Sequence, residues 1–192
     1  YLSYYTKIEN AVYATKGEIM TYQDETILPM FFQSGCGKTR NATEFLSEDY
    51  PYLSSVEASS DLSSTDYMTI KTFTKEYVID TLYQYNKDIV LTKDNLFYQL
   101  SIDERDSVNY VLTVKANQVS ISGETFAHLF DLPSSNFTLD ESDSMVRMIC
   151  IGKGHGIGLS QYSANEMAKN ATDYQDILCH FYTNISFENI TK

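Results

Sequence analysis

The residues best suited to chemistry in this chain of 192 residues gather near its end. Glycines alternate through Gly152-Lys153-Gly154-His155-Gly156-Ile157-Gly158, which holds half of the 8 glycines in the chain. A backbone without a Cβ at every second position can approach a ligand closely. His155 stands between two of these glycines, unshielded by its neighbours in sequence. An imidazole there suits acid–base or orienting work near neutral pH. Ser160, Gln161 and Tyr162 follow at once, where a helix start would offer free backbone N–H groups. Their hydroxyl and amide groups donate and accept, and the tyrosine ring can lie on an amphipathic ligand such as a sugar.

Other chemistries are poorly served. The loop lacks the G-x-G-x-x-G spacing of a dinucleotide site, and Gly35 to Thr39 lacks the first glycine of a phosphate-binding loop. No nucleophile elbow surrounds Ser34, Cys36 or Ser160. Cys36, Cys150, Cys179, His155 and His180 are ligand types that zinc prefers, but their spacings match no standard finger. A structural zinc is the possibility those five residues leave open. Three cysteines allow one bridge and one thiol, or three thiols. With 14 Lys+Arg against 26 Asp+Glu, the formal net charge of -12 repels nucleic acid and anionic membranes alike. No apolar run approaches the roughly 18 residues that span a bilayer.

The elements that must position these residues can be read from periodicity. Helices are expected over Thr6–Lys16, ended by Gly17, and over Lys75–Tyr85, capped by Thr74. Further helices are expected over Ser122–Leu132, Leu159–Lys169 and Asp173–Tyr182. Strands are expected at Glu18–Tyr22 and Ile27–Phe32, read as a hairpin, with a short one at Ser55–Ala58. Others fall at Met68–Phe73, Leu96–Ile102, Val108–Val114, Val119–Ile121, Phe137–Leu139, Met145–Ile151 and Ile185–Phe187. Glu104 to Ser107 is the expected turn of a second hairpin. Residues 41–66 read as a long polar surface loop. The order predicts an α+β fold, a mostly antiparallel sheet with helices packed on it and the glycine loop before a late helix, in one domain over 1–192.

The run Gly154 to Ala164 resembles the G-H-G-V-G-M-S-Q-Y-G-A signature of the stage II sporulation protein D family, also called the sporulation protein D/amidase-enhancer domain. Ala11-Val12 through Gly17 resembles the family's A-V-x-x-T-x-G. Phe31-Phe32 to Thr39 resembles its F-F-S-x-S-x-G-x-T. Pro51 to Val56 resembles P-Y-L-x-S-V. Gly123 to Phe137 resembles G-x-x-x-R-x-x-L-x-L-P-S-x-x-F, and Asp176 to Tyr182 resembles E-I-L-x-H-Y-Y. These pieces run in order across nearly the whole chain. Ala127 stands where the family has an Arg, and Ser163 where it has a Gly.

The resemblance implies a lytic transglycosylase of sporulation and engulfment. Such an enzyme cuts between N-acetylmuramic acid and N-acetylglucosamine in glycan strands stripped of peptide, leaving 1,6-anhydro ends. It implies no metal or organic cofactor. It also implies an extracytoplasmic, wall-facing location, with a cell-wall amidase and membrane scaffold proteins as partners. The family's E-M-P-like segment, which carries the catalytic Glu, does not occur in this sequence, and family order places it upstream of Tyr1. The catalytic role is therefore given to no residue here. The expected substrate contacts are His155, Ser160, Gln161 and Tyr162, with Gly154 and Gly156 allowing close approach and Ser34 and Thr39 as further candidates. The alternative is a non-catalytic glycan-binding module that enhances an amidase.

Overall fold

The computed structural model describes residues 2–190. Helix α1 (Leu2–Ala14) leads to strand β1 (Glu18–Tyr22), which turns on Gln23 and Asp24 into β2 (Glu25–Thr26). After β3 (Phe31–Phe32) the chain passes through 3-10 turns at Ala42–Glu44 and Ser59–Ser63. Strand β4 (Met68–Thr74) runs directly into α2 (Lys75–Tyr85). A helical turn, α3 (Leu96–Gln99), opens β5 (Leu100–Arg105), and β6 (Val111–Ala116), β7 (Val119–Ser122) and α4 (Gly123–Leu129) follow. The hairpin β8 (Phe137–Ser142) and β9 (Met145–Ile151) precedes β10 (Leu159–Ser160), α5 (Gln161–Lys169), α6 (Tyr174–Phe181) and β11 (Ser186–Asn189).

The fold is α+β, as expected. Three antiparallel sheets, ordered β11-β1-β2, β4-β9-β8 and β5-β6-β7, are joined by one parallel pair, β3 with β10. Burial follows the pleat. In β9, Val146, Met148 and Cys150 are buried while Met145, Arg147 and Ile149 are not, which is the period of two that pins strand register. In α2, Val78 and Leu82 share one face at i, i+4 spacing and are both buried.

Two hydrophobic cores result. The first packs Val78, Leu82, Val114, Phe126, Phe137 and Met148 between α2, α4 and the two larger sheets. The second packs Tyr52, Leu53, Ile157, Ile177, Phe181 and Tyr182 around α6. Each such side chain contributes about 1.5–3 kcal/mol on burial. The glycine loop crosses from one core to the other, since Cys150 belongs to the first and Ile157 to the second.

Several expectations are corrected. α1 starts at Leu2, and its Tyr4, Tyr5, Ile8, Val12 and Tyr13 are exposed. The expected Ile27–Phe32 strand does not form. Only Glu25–Thr26 pairs with β1, and Phe31–Phe32 pairs with β10 instead. Pro29 between them has no N–H to give a ladder. Ser55–Ala58 contributes a single bridge from Glu57 to Lys38. The 41–66 segment is no surface loop throughout, because Ala42, Leu53 and Asp61 are fully buried in it. The second hairpin turns at Asp106 to Tyr110, where the Asp106 carboxylate accepts the N–H groups of Val108 and Tyr110. Leu96 begins a helical turn, not a strand, after Thr92 and Asn95 exchange side chain–backbone hydrogen bonds. No helix among the described residues is long and apolar enough to cross a membrane.

Candidate functional site

The loop after β9 is threaded into the protein by backbone hydrogen bonds. Gln33 and Ser34 donate to the Lys153 carbonyl at 3.2 and 3.1 Å, and Lys153 donates back to Ser34 at 2.7 Å. Gly154 donates to Pro133, Arg40 donates to the Gly156 carbonyl at 2.7 Å, and Leu159 donates to Met30. Two glycines show what the missing side chains permit. A Cβ on Gly154, at φ +107, would lie 2.8 Å from the Cβ of Phe32, and one on Gly156, at φ +80, would lie 2.6 Å from the Tyr110 ring. Both positions press the loop against its own protein. Their freedom serves close packing of the loop against Phe32 and Tyr110.

Beneath the loop sits a carboxylate. Asp61 is fully buried and accepts hydrogen bonds from the Gly35 N–H at 2.6 Å, Ser160 Oγ at 2.6 Å and Ser163 Oγ at 2.7 Å. Ser160 Oγ also accepts from the Ser163 N–H and so caps α5. The structure thus places Ser160, one of the expected substrate contacts, inside the protein with its hydroxyl engaged by Asp61 and the helix start. Thr39 is buried as well, with its Oγ1 donating to Ser54 and accepting from the Val56 N–H. Ser34 is buried behind the Lys153 pairing. Asp61 escaped the sequence reading because it lies 99 residues from Ser160, with no periodicity to link them.

His155, Gln161 and Tyr162 reach the surface. Gln161 is exposed, and Tyr162 is half-buried with its hydroxyl donating to the Ser63 carbonyl. The His155 ring is half-buried, tilted against Phe32 with centroids 6.0 Å apart. Its Nδ1 accepts from the Ile157 N–H at 3.1 Å, which assigns a neutral ring protonated at Nε2. Burial pushes its pKa below the ordinary histidine value, against a hydrogen bond to the Phe31 backbone and the charge of Glu124, while Arg40 adds to the lowering. With both sides of the ring engaged, His155 is built to orient more than to shuttle protons.

Around these residues lie others that the sequence reading left without a role. Phe31 and Gln33 project from the outer side of β3, Phe31 being 59% exposed, while Phe32 between them is buried. The Gln33 amide donates to Asp66, and the Tyr162 N–H donates to the Gln33 carbonyl. Phe31, Gln33, Asp66, His155, Gln161 and Tyr162 thus belong to one connected set of elements carrying two aromatic rings, an imidazole, two amides and a carboxylate. The run Phe31-Phe32-Gln33 has no alternation in sequence that separates its exposed from its buried positions, so no local signal marked them. On the far side of Gly152, whose N–H donates to Tyr67, a groove of about 560 Å³ is bordered by Lys38, Glu57, Tyr67, Asn109 and Asn136.

The three cysteines are free thiols. The Cys36 thiol donates toward Val108, Cys150 is buried beside Ser134, and Cys179 is exposed, while His180 pairs with the Glu57 carbonyl. Burial raises the pKa of Cys36 and Cys150, so both are held as thiols. Among the described residues no three His, Cys, Asp or Glu side chains gather as a metal site.

Comparison with known proteins places this geometry among relatives. The chain is 30% identical over 179 residues to Stage II sporulation protein D of Bacillus amyloliquefaciens, covering 93% of this chain and 50% of the relative. It is 30% identical over 176 residues to the protein of the same name from Bacillus subtilis, covering 92% and 49%. An uncharacterised protein of Brachyspira hyodysenteriae is 26% identical, covering 96% and 50%. The chain spans about half the length of the curated relatives it matches. No family model matches it.

Proposed function

Because the chain belongs to the stage II sporulation protein D family, we propose that it is a sporulation cell-wall protein and forms one wall of the glycan cleft of a lytic transglycosylase. The observation that carries the reading is the backbone pairing that brings β3, the glycine loop and the start of α5 together, with Phe31, Gln33 and Gln161 exposed on them and His155 and Tyr162 half-buried. Phe31 offers a ring on which a sugar can lie. The Gln33 and Gln161 amides match acetamido and hydroxyl groups.

In the proposed reaction a carboxylic acid protonates the oxygen leaving between N-acetylmuramic acid and N-acetylglucosamine. The C6 hydroxyl of the muramic acid then closes on C1, and the same carboxylate takes its proton. This chain's residues would hold the two sugars in the geometry that lets the ring close. The test incubates this chain, and a version extended upstream, with glycan strands stripped of peptide. Mass spectrometry then looks for 1,6-anhydro ends. Anhydro product from the extended protein supports the enzyme, and none from either removes it.

A second reading, a non-catalytic module that binds glycan and enhances an amidase, is favoured by one observation. Glu124, the carboxylate whose charge acts on His155, is already tied to Arg40 and Ser135. A rise in amidase rate on adding the chain, with no anhydro ends, would select this reading.

A further inference from the structure

Arg40 is the largest of the fully buried side chains, and it is charged. Its Nε donates to Asp106 Oδ2 at 2.5 Å, and its Nη1 donates to Glu124 Oε1 at 3.0 Å and to the His155 carbonyl at 3.2 Å. The guanidinium carbon lies 4.2 Å from the Phe45 ring centroid and 4.6 Å from that of Tyr110. Its main chain grips the same loop, donating to Gly156 and bridging Ile157. Arg40 therefore ties the turn after β5 and the start of α4, on the side of the first core, to Phe45 and Ile157 of the second. Nη2 is buried with no hydrogen-bond partner among the described residues.

Such a buried charge cluster is a poor way to gain stability, since well-packed apolar groups of similar volume do as well or better. Its value lies in fixing one geometry. We propose that Arg40 is a positioning residue: its guanidinium, steered by Asp106 and Glu124, holds the His155 carbonyl and the Gly156–Ile157 backbone so that the His155 ring has a single place on the glycan face. The proposal rests on the reading that this face binds glycan. Each contact has one function in it. Asp106 is locked by its own turn, Glu124 is locked by Ser135 Oγ at 2.7 Å, and the fork between them can take only one orientation. The loop held by that fork presents the Ile157 N–H to His155 Nδ1.

The test uses Glu124→Gln and Arg40→Lys, with thermal unfolding as the control for folding. Glu124 is 36% exposed, so Glu124→Gln keeps the fold even if Arg40→Lys does not. Two NMR readouts report on the ring itself, the hydrogen exchange of the Ile157 amide and the titration midpoint of the His155 imidazole. In Glu124→Gln, exchange at Ile157 should quicken about tenfold, the effect of weakening one hydrogen bond. The His155 midpoint should fall further, because the Glu124 charge that favours the imidazolium is gone. Arg40→Lys should not restore the wild-type values, since an ammonium cannot fork. Affinity for a chito-oligosaccharide should drop about tenfold in both folded variants. A folded Glu124→Gln with unchanged Ile157 exchange and an unchanged His155 midpoint would overturn the proposal. Failure of the wild-type chain to bind the oligosaccharide would sink the glycan reading instead, and the two NMR readouts would still decide whether Arg40 positions the ring.

Discussion

Ser160 and Gln161 are neighbours in the same motif, yet the structure separates their uses. Ser160 turns inward to Asp61 and the start of α5, whereas Gln161 is exposed. Ser160→Ala should therefore cost about 1–2 kcal/mol of stability, the value of a helix cap, and leave glycan affinity unchanged. Gln161→Ala should leave stability within about 0.5 kcal/mol and weaken binding. Denaturant melts paired with calorimetric titration would check both, and a Ser160→Ala that binds poorly at full stability would contradict the geometry. Asp61→Ala strands the buried donors of Gly35 and Ser160, while Ser163 Oγ keeps the Ala58 carbonyl, and should cost about 2–3 kcal/mol or more. His155 adds a dependence on pH. Its pKa is lowered in the folded state, so the neutral ring's contribution is complete above the unfolded value of about 6.5 and is lost as pH falls through the folded one. The gap in melting temperature between the wild type and His155→Gln should thus narrow from pH 7.5 to pH 5. The motif singled out His155, Ser160 and Gln161 in the sequence. It could not say which way each points, because that depends on Asp61 and on β3, far away in sequence.

Helices with side-chain caps were the most legible elements. Thr74, Ser122, Ser160 and Asp173 each accept a hydrogen bond from the first turn of the helix that follows, and a cap is a local signal that needs no knowledge of the fold. Thr74→Ala should lower stability by about 1 kcal/mol, measured as a shift in denaturation midpoint without a change in slope. Strand β9 was legible too, as a mainly apolar run of strand length expected and found at Met145–Ile151, while β8 runs three residues beyond the expected Phe137–Leu139. The β3–β10 pair was not. It is two residues long on each side, parallel, and joins segments more than a hundred residues apart, so neither strand carries a pattern of its own. The Arg40 cluster shares that opacity, reaching Asp106 across 66 residues, Glu124 across 84 and the His155 carbonyl across 115. Local sequence specified the scaffold elements. The candidate site draws together elements distant in sequence, a meeting that local pattern alone does not show.

At the scale of the whole molecule, charge constrains how the glycan of the proposed function would be held. The net charge is -12, and a glycan strand stripped of peptide carries a carboxylate on each muramic acid. Two cations near the loop are already committed. Arg40 is buried between carboxylates, and Lys38 is paired with Glu57 at 2.9 Å. On the proposed reading, attraction between opposite charges is left to few side chains, exposed Lys153 among them, and ring and amide contacts supply most of the affinity. Long-range repulsion between protein and polymer is then a penalty that salt relieves, since the screening length shrinks from about 30 Å at 0.01 M to about 10 Å at 0.1 M. Affinity for the stripped strand should rise a few-fold over that range, opposite to the steep fall expected where cations neutralise a polyanion. An uncharged chito-oligosaccharide should show almost no salt dependence on the same face. If affinity for the stripped strand fell with salt while that for the neutral sugar held, a cationic contact would be carrying the interaction. Lys153, exposed within the glycine loop, would be the first residue to test.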